Sequence, residues 1–420
     1  MSIVGGRYRH GLRRMVAREV DETGRTATPL ELLFDLTFVA AFGVAGSELA
    51  HGIAEGHWLE ATIAFVFAMF SLVWAWINVN WFASAFDNDD WLYRLLTMVQ
   101  MAGVIVLAIG LPALFSSIGH GDVFDNRLMV AGYVVMRIAL VMQWLRAVRS
   151  EPRYRASAIT YAVFVGTAQV GWVLLAVLEL RPVAGLLGAL ALLAIEILGP
   201  VVAERRGGRS GAATPWHPHH LAERYALLTI IALGETVLGT LSSASVIADE
   251  GWSVDAAVTV AVGVAMSFAL WWIYFLVPHA TLLESRRSKA ILWGYGHVLL
   301  FTAIAAVGAG FHLVGYLRDP HYELAPTAVV TAIGIPVAVF LGVRFLLHAW
   351  LVSALPPGRV VQLAAVLLPV LATALAAAGV PVGVCLLIVL AAPVSIVAWF
   401  ELGGWRALDA QLARAATPRD

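Results

Sequence analysis

Two residues of opposite charge lie inside one long apolar stretch of this sequence. Arg224 and Glu235 both fall within residues 221–247, and eleven positions separate them. At 100° per residue, eleven steps return to within about 20° of the same helix face. Because a charge inside a membrane-spanning helix costs roughly 2.5–3.5 kcal/mol, we expect both side chains to face a protein interior or a water-filled cavity.

Other charged residues in apolar runs could pair with these two. Glu31 and Asp35 are four positions apart and share a helix face. Thr28 and Pro29 suit the start of that helix, which would place Glu31 at the positive end of its dipole. The candidate polar core comprises three cations and five acids: Arg137, Arg224, Arg344, Glu31, Asp35, Glu196, Glu223 and Glu235.

This polar set has two interpretations. The charges could form ion pairs that only lock helices together, or they could form a transport site. Buried ion pairs stabilise proteins weakly because desolvation offsets most of their attraction, which favours the site. Glu235 would then titrate, poised by Arg224 on its own face and by Arg137 or Arg344 across the bundle, with Asp35 as its counterpart in the first half.

Histidines could relay protons or bind a metal. His297 and His348 are candidate relay groups, with His312 on the same predicted helix as His297. The alternative for each is a hydrogen-bonded interior histidine. In the segment HPHHLAER, His219 precedes Glu223 by four residues, a spacing that could bind zinc. No second ligand pair is evident, so we favour a polar loop entering a helix and expect no metal or other cofactor.

Composition defines the elements that must position these residues. The chain is 60% hydrophobic and 13% charged, with a mean hydropathy of +0.82, far from the average of soluble proteins. Alternating strand patterns are absent, so we predict an all-α polytopic membrane protein of about twelve transmembrane helices. The last two runs, joined at Gly379–Pro381, could instead form a re-entrant pair. The runs lie near 30–50, 58–82, 93–117, 128–148, 157–179, 183–203, 221–247, 254–277, 289–316, 326–351, 360–379 and 381–402.

The basic residues predict an orientation. With the N-terminus inside, 21 lysines and arginines lie on the inner side and 3 on the outer side, a strong positive-inside signal. We therefore expect a multi-pass inner (cytoplasmic) membrane protein with both termini cytoplasmic. The basic arm 1–28 fits either an interfacial helix on anionic lipid or a disordered tail, and the tail 403–420 has a similar apolar spacing.

A weak internal similarity predicts two parallel six-helix repeats. The first helix aligns with the seventh, which matches Glu31 with Glu223, and Arg137 of the fourth corresponds to Arg344 of the tenth. The halves would be residues 29–203 and 221–402, with the cytoplasmic linker 204–220 between them. An even number of helices gives both halves the same orientation, with the repeat axis along the membrane normal.

Two segments resemble a known family. TPLELLFDLTFVAAF in the first helix and HHLAERYALLTIIALGE in the seventh are similar to signature segments of the bacterial low-temperature-requirement protein A family. The resemblance spans nearly the whole chain and implies a polytopic membrane protein, linked by its name to growth in the cold. More distantly, Phe34-Asp35 resembles the Phe-Ser-Asp motif of some potassium channels, without the serine. The family signature falls on Glu31, Phe34, Asp35, His220, Glu223, Arg224, Gly234 and Glu235.

The preferred function is transport of a small solute or ion, with proton coupling as an option. One alternative is an ion channel lined by helices 1 and 7, and another is a non-transporting membrane scaffold or sensor. No HExxH, G-x-S-x-G or Walker motif supports an enzyme or an ATP-driven pump. The expected partners are the lipid bilayer and the small solute or ion, with a homo-oligomer as an option and no nucleic acid.

Overall fold

The computed structural model describes residues 11–20, 22, 24–119, 121, 123–317 and 319–416. Every regular element in these ranges is helical. Short 3₁₀ segments cover Pro152–Tyr154 and Arg287–Lys289, and a π-helical turn covers Phe400–Gly404. The α-helices are α1 (Pro29–Ala54), α2 (Trp58–Phe86), α3 (Trp91–Ile109), α4 (Leu111–Gly119), α5 (Arg127–Ser150), α6 (Arg155–Val177), α7 (Pro182–Arg209), α8 (Pro218–Glu250), α9 (Val254–Phe275), α10 (His279–Ser285), α11 (Ala290–Tyr316), α12 (Pro326–Val352), α13 (Arg359–Ala377), α14 (Val382–Trp399) and α15 (Trp405–Ala416).

Twelve helical segments in the described ranges are long and apolar enough to cross a membrane. They coincide with the twelve runs predicted from the sequence, and this confirms an all-α polytopic membrane protein. Helices α3 and α4 together form the third segment, Trp91–Gly119. Helices α13 and α14 each contribute to a separate candidate segment, by length and composition.

Four helices form the centre of the bundle. Helices α2 and α11 are the most enclosed of the spans, whereas α7 and α13 leave most of their surface to the outside. Helix α1 packs against α2, α8 and α11, and α8 packs in turn against α11. The first and seventh candidate spans, which carry most of the predicted polar core, are therefore neighbours at this centre.

The local sequence explains the start of α1. Thr28 is the N-cap, Pro29 occupies the first turn, and the Thr28 side chain accepts a hydrogen bond from the backbone N–H of Glu31. Glu31 in turn accepts from the backbone N–H of Thr28, at 2.9 Å. This reciprocal capping box confirms the predicted helix start, and it fixes Glu31 where it can also reach α8.

The order of helix packing is similar in the two predicted halves. In the first half α5 packs against α3 and α6, and α6 against α7; in the second half α12 packs against α11 and α13, and α13 against α14. The halves differ at the second helix, since α9 packs closely on α14 whereas α2 packs on α4 and α11. The two-repeat organisation stays a prediction.

The described part of the N-terminal arm follows the protein surface. Residues 11–20 contain no helix, so the predicted interfacial helix is wrong for that part, and residues 1–10 lie outside the described ranges. The arm is tied to the end of α2, because Arg25 donates to the carbonyls of Ala83 and Ser84 at 2.8 and 2.5 Å. Next to these carbonyls, burial raises the pKa of Asp87 to about 6, and the charge of Glu31 adds to the shift.

Candidate functional site

Arg224 is the centre of a buried ion-pair network between α1 and α8. Its Nη2 lies 2.5 Å from Asp35 Oδ1 and its Nε lies 3.1 Å from Asp35 Oδ2, which is a bidentate pair. Its Nη1 lies 2.7 Å from Glu31 Oε1. The side chains of all three residues are at most 4% exposed. One guanidinium therefore serves two carboxylates of the neighbouring helix.

Two further side chains complete what we call the Arg224 cluster: Glu31, Asp35, Trp76, His220 and Arg224. His220 Nε2 lies 3.1 Å from Glu31 Oε1, and Trp76 of α2 donates its indole N–H to Asp35 Oδ1 at 2.6 Å. The i, i+4 pair on α1 thus faces the i, i+4 pair His220 and Arg224 on α8. The spacing predicted the shared faces, and the structure shows that these faces meet.

A second buried network lies within the first half. Arg137 of α5 pairs with Glu196 of α7 at 2.9 Å, with both side chains at most 2% exposed. The same carboxylate accepts hydrogen bonds from the Tyr133 hydroxyl at 2.5 Å and from the Trp172 indole N–H at 2.9 Å. These contacts join α5, α6 and α7, and they occupy both oxygens of Glu196.

Glu235 differs from the paired carboxylates of the two networks in its lack of a bonded partner. It is 5% exposed, yet no hydrogen bond or ion pair joins its carboxylate to another described residue. A β-carbon added to Gly43 of α1 would lie 3.1 Å from each carboxylate oxygen, and one added to Gly308 of α11 would lie 3.1 Å from the β-carbon of Glu235. Two glycines thus leave the space that this side chain fills between three helices.

The predicted pairing of Glu235 with arginines is wrong in this structure. Arg224 bonds Asp35 and Glu31 instead, because eleven residues of helix separate it from Glu235 by about 16 Å along the axis. Arg137 is held by Glu196, and Arg344 of α12 donates to Gln362 Oε1 of α13 at 3.1 Å. A shared face aligned Arg224 with Glu235, but the depth difference keeps their side chains apart.

The remaining predicted site residues lie apart from the centre. Glu223 is half-buried and accepts from the backbone N–H of Ala27 at 3.2 Å. His348 Nε2 lies 2.9 Å from Gln411 Oε1 of the tail helix α15. The proposed relay partners His297 and His348 therefore belong to different local networks.

His297 lies in an aromatic cage on α11. Its Nδ1 lies 2.8 Å from the Trp293 carbonyl oxygen and its Nε2 lies 3.1 Å from the Tyr274 hydroxyl. Because a carbonyl only accepts, Nδ1 carries a proton here and Nε2 accepts from the tyrosine. The rings of Tyr225 and Phe301 pack against the imidazole. This is the hydrogen-bonded interior histidine that the sequence left as the alternative.

Sequence reasoning missed Trp76, Tyr133 and Trp172 as ligands of the buried carboxylates. A buried indole N–H requires an acceptor, and this requirement was the available signal.

Among the described residues, no group of three or more His, Cys, Asp or Glu side chains could hold a metal ion.

The fold and these networks define a multi-pass integral membrane protein of twelve candidate spans. Two buried ion-pair networks, at Arg137 and at Arg224, join its helices. The chain belongs to the family described as bacterial low temperature requirement A protein (LtrA), which matches residues 26–393. The match confirms the resemblance noted in the sequence and covers both signature segments.

One relative among curated proteins is an uncharacterized protein, RA0937, of Rhizobium meliloti (strain 1021). It is 28% identical over 314 residues, which cover 70% of this chain and 71% of the relative. No solved structure matches the chain.

Proposed function

We propose that this protein transports a small solute or ion across the inner membrane in exchange for, or together with, protons carried by Glu235. The observation that supports the proposal is the environment of that carboxylate, which is buried between α1, α8 and α11 with no cationic partner among the described residues. Membrane location and helical architecture agree with transport, and the chemical identity of the solute is left to a substrate screen.

The cost of an isolated buried charge supports this role for Glu235. An ionised carboxylate in an apolar interior needs a counter-charge or water, and intramembrane acids of this kind line ion paths and proton relays. Gly43 of α1, which carries no side chain, lies next to its carboxylate oxygens. A proton or a bound cation is therefore the group that neutralises Glu235 during the cycle.

The Arg224 cluster has a different role in this proposal. Both of its carboxylates are bonded to Arg224, so the cluster would hold α1 against α8 while groups near Glu235 exchange a proton. Positive-inside counting supports an orientation with both termini in the cytoplasm. In that orientation the Arg224 cluster lies nearer the cytoplasmic side and Glu235 lies deeper in the membrane.

The test is proton flux into liposomes that contain purified protein. Wild type is compared with Glu235→Gln, which keeps the shape and removes the titrating group, and with the control Glu401→Gln, which alters an exposed carboxylate. The proposal expects flux from wild type and the control, and loss of flux from a folded Glu235→Gln protein. Equal flux from all three proteins would reject a proton-carrying role for Glu235.

A non-transporting scaffold or sensor is the competing function. The Arg224 cluster favours it, since a network of side chains that bond one another can serve stability alone. The same experiment separates the two functions: a scaffold gives no flux from any folded variant, with a screen of small solutes likewise negative. A channel lined by α1 and α8 would instead give conductance without a coupled counter-ion.

A further inference from the structure

A groove of about 870 Å³ lies between the two predicted halves, at the end of the bundle where α7 ends and α11 begins. We call this end, which also carries the described N-terminal arm, the basic end. The groove is separate from Glu235 and from the Arg224 cluster. Its lining includes Trp81, Arg153, Arg205, Trp216, Arg287 and Tyr295.

Three arginines from separate elements line the groove. Arg153 lies in the 3₁₀ turn after α5, Arg205 in the last turns of α7, and Arg287 in the 3₁₀ turn before α11. The guanidinium of Arg287 lies 4.1 Å from the ring centre of Trp216 and donates to the Trp216 carbonyl at 2.6 Å. Arg153 and Arg205 are exposed. All three cations therefore line the same groove.

The acidic residue in the groove is already engaged by its wall. Glu204 accepts hydrogen bonds from the Tyr161 hydroxyl at 2.8 Å, from the Trp81 indole N–H at 3.2 Å and from the backbone N–H of Thr214 at 3.1 Å. These three donors hold its oxygens on the protein side. The groove as a whole keeps an excess of positive charge.

The opposite wall of the groove is apolar and leads to the outer surface of the bundle. Val201 of α7 and Ile291 and Leu292 of α11 form this wall. Leu292 is 48% exposed and the nearby Leu198 is 54% exposed, so the wall continues into the surface that faces lipid. Tyr295 joins the halves beneath it by donating to the Ile197 carbonyl at 3.0 Å.

We propose that this groove binds an anionic phospholipid, whose phosphate lies among Arg153, Arg205 and Arg287 and whose acyl chain follows the wall of Val201, Ile291 and Leu292. Basic pockets between transmembrane helices on the cytoplasmic side recognise such head groups, and Arg pairs with phosphate through two parallel hydrogen bonds. A soluble phosphate would use the arginines but leave the apolar wall unfilled. The lipid would bridge α7 of the first half and α11 of the second.

The experiment titrates detergent-solubilised full-length protein with dioleoylphosphatidylglycerol and follows the thermal unfolding midpoint. Dioleoylphosphatidylcholine and inorganic phosphate are titrated separately. The variant Arg153→Gln/Arg205→Gln is compared with the matched control Arg206→Gln/Arg209→Gln, which removes the same charge from the end of α7 outside the groove lining. The proposal expects a saturable upward shift with the glycerol lipid, with half-saturation about tenfold weaker in the groove variant and unchanged in the control.

Three results would overturn the proposal. Equal shifts with both lipids would remove the requirement for an anionic head group. An equal shift with inorganic phosphate would assign the groove to a soluble anion. Equal weakening in the groove and control variants would mean that overall charge, and not the groove, attracts the lipid. If the double groove variant does not fold, Arg205→Gln alone is measured against Arg206→Gln, with the same expected order.

Discussion

Helix α8 carries two polar centres that differ in how their charges are balanced. At Arg224 a guanidinium, two carboxylates, an indole and an imidazole bond one another with distances from 2.5 to 3.1 Å. At Glu235, eleven residues further along, a buried carboxylate lies beside Gly43 and has no hydrogen bond or ion pair with another described residue. Both carboxylates of the first centre have a cationic partner, whereas the carboxylate of the second has none among the described residues. A buried charge in a membrane protein can join helices or carry a proton. Whether it has a partner of opposite charge indicates which of these roles it has.

The two predicted halves also differ in whether their buried arginine has an acid partner. Arg137 in the first half pairs with Glu196. Arg344, its counterpart by sequence in the second half, donates to the neutral Gln362. Among the described residues, Arg344 therefore has no acid partner and Glu235 has no arginine partner. This asymmetry is the reason why we seek the proposed proton-carrying group in the second half.

Disrupting the Arg224 cluster is expected to cause the largest loss in the free energy of unfolding. Arg224→Met leaves the buried carboxylates of Glu31 and Asp35 without their cation, and removal of one member of a buried ion pair costs about 3–5 kcal/mol. Glu235→Gln should leave the free energy of unfolding nearly unchanged or raise it, since no partner is lost. Denaturant unfolding in detergent micelles measures both values. Similar losses for the two variants would contradict the distinction between the centres.

The arginines of the two halves provide the second comparison. Arg137→Met leaves the Glu196 carboxylate buried and should cost about 3 kcal/mol or more. Arg344→Met leaves only the amide oxygen of Gln362 unpaired at that contact, so we expect a cost of about 1 kcal/mol. The same unfolding assay is used. A cost for Arg344→Met equal to that of Arg137→Met would show that the second half holds its arginine as tightly as the first.

A substitution at Gly43 tests the space around Glu235. In Gly43→Ala the new methyl group would lie 3.1 Å from both carboxylate oxygens, so the side chain must shift. The control is Gly46→Ala on the same helix, whose methyl group would meet Ala309 at an ordinary 3.7 Å. If the shift raises the barrier to proton exchange by about 1.4 kcal/mol, flux falls about tenfold. Liposome flux that is unchanged in Gly43→Ala, or equally reduced in the control, would contradict this role.

Asp87 at the end of α2 is expected to make the stability of the protein depend on pH. Burial raises its pKa from 3.8 to about 6, so the folded chain holds this proton more tightly than the unfolded chain does. This contribution to the free energy of unfolding is present below pH 3.8 and is lost as the pH rises to about 6. The loss is about 3 kcal/mol at most. Asp87→Asn should reduce this decline, whereas Asp89→Asn, at an exposed ion pair, should keep it. Equal pH profiles of the unfolding midpoint in all three proteins would count against a buried, protonated Asp87.

The sequence predicted the spans and the shared faces better than the contacts between helices. Continuous apolar runs define each span, and the four-residue spacing of Glu31 and Asp35 predicts one common face. Neither pattern contains the depth or the identity of the facing helix. The pairing of Arg224 with α1 and the contribution of Trp76 from α2 depend on how the helices pack, so they could not be read from α8 alone.

The N-terminal arm illustrates the same limit. Its alternation of arginines and apolar residues fits an interfacial helix when the arm is considered in isolation. In the structure the free carbonyls at the end of α2 accept hydrogen bonds from Arg25, and residues 11–20 follow the protein without a helix. Unsatisfied carbonyls at a helix end are a tertiary feature, which the local pattern of the arm does not contain.

The protonation state of Glu235 is the most direct test of the difference between the two centres. Infrared difference spectra of the reconstituted protein, recorded between acidic and alkaline buffer, report carboxyl groups that gain or lose a proton. We predict a titrating carboxyl band that is present in wild type and in Glu401→Gln and is absent from folded Glu235→Gln. An identical set of titrating bands in all three proteins would contradict the account and would make Glu235 a structural residue like those of the Arg224 cluster.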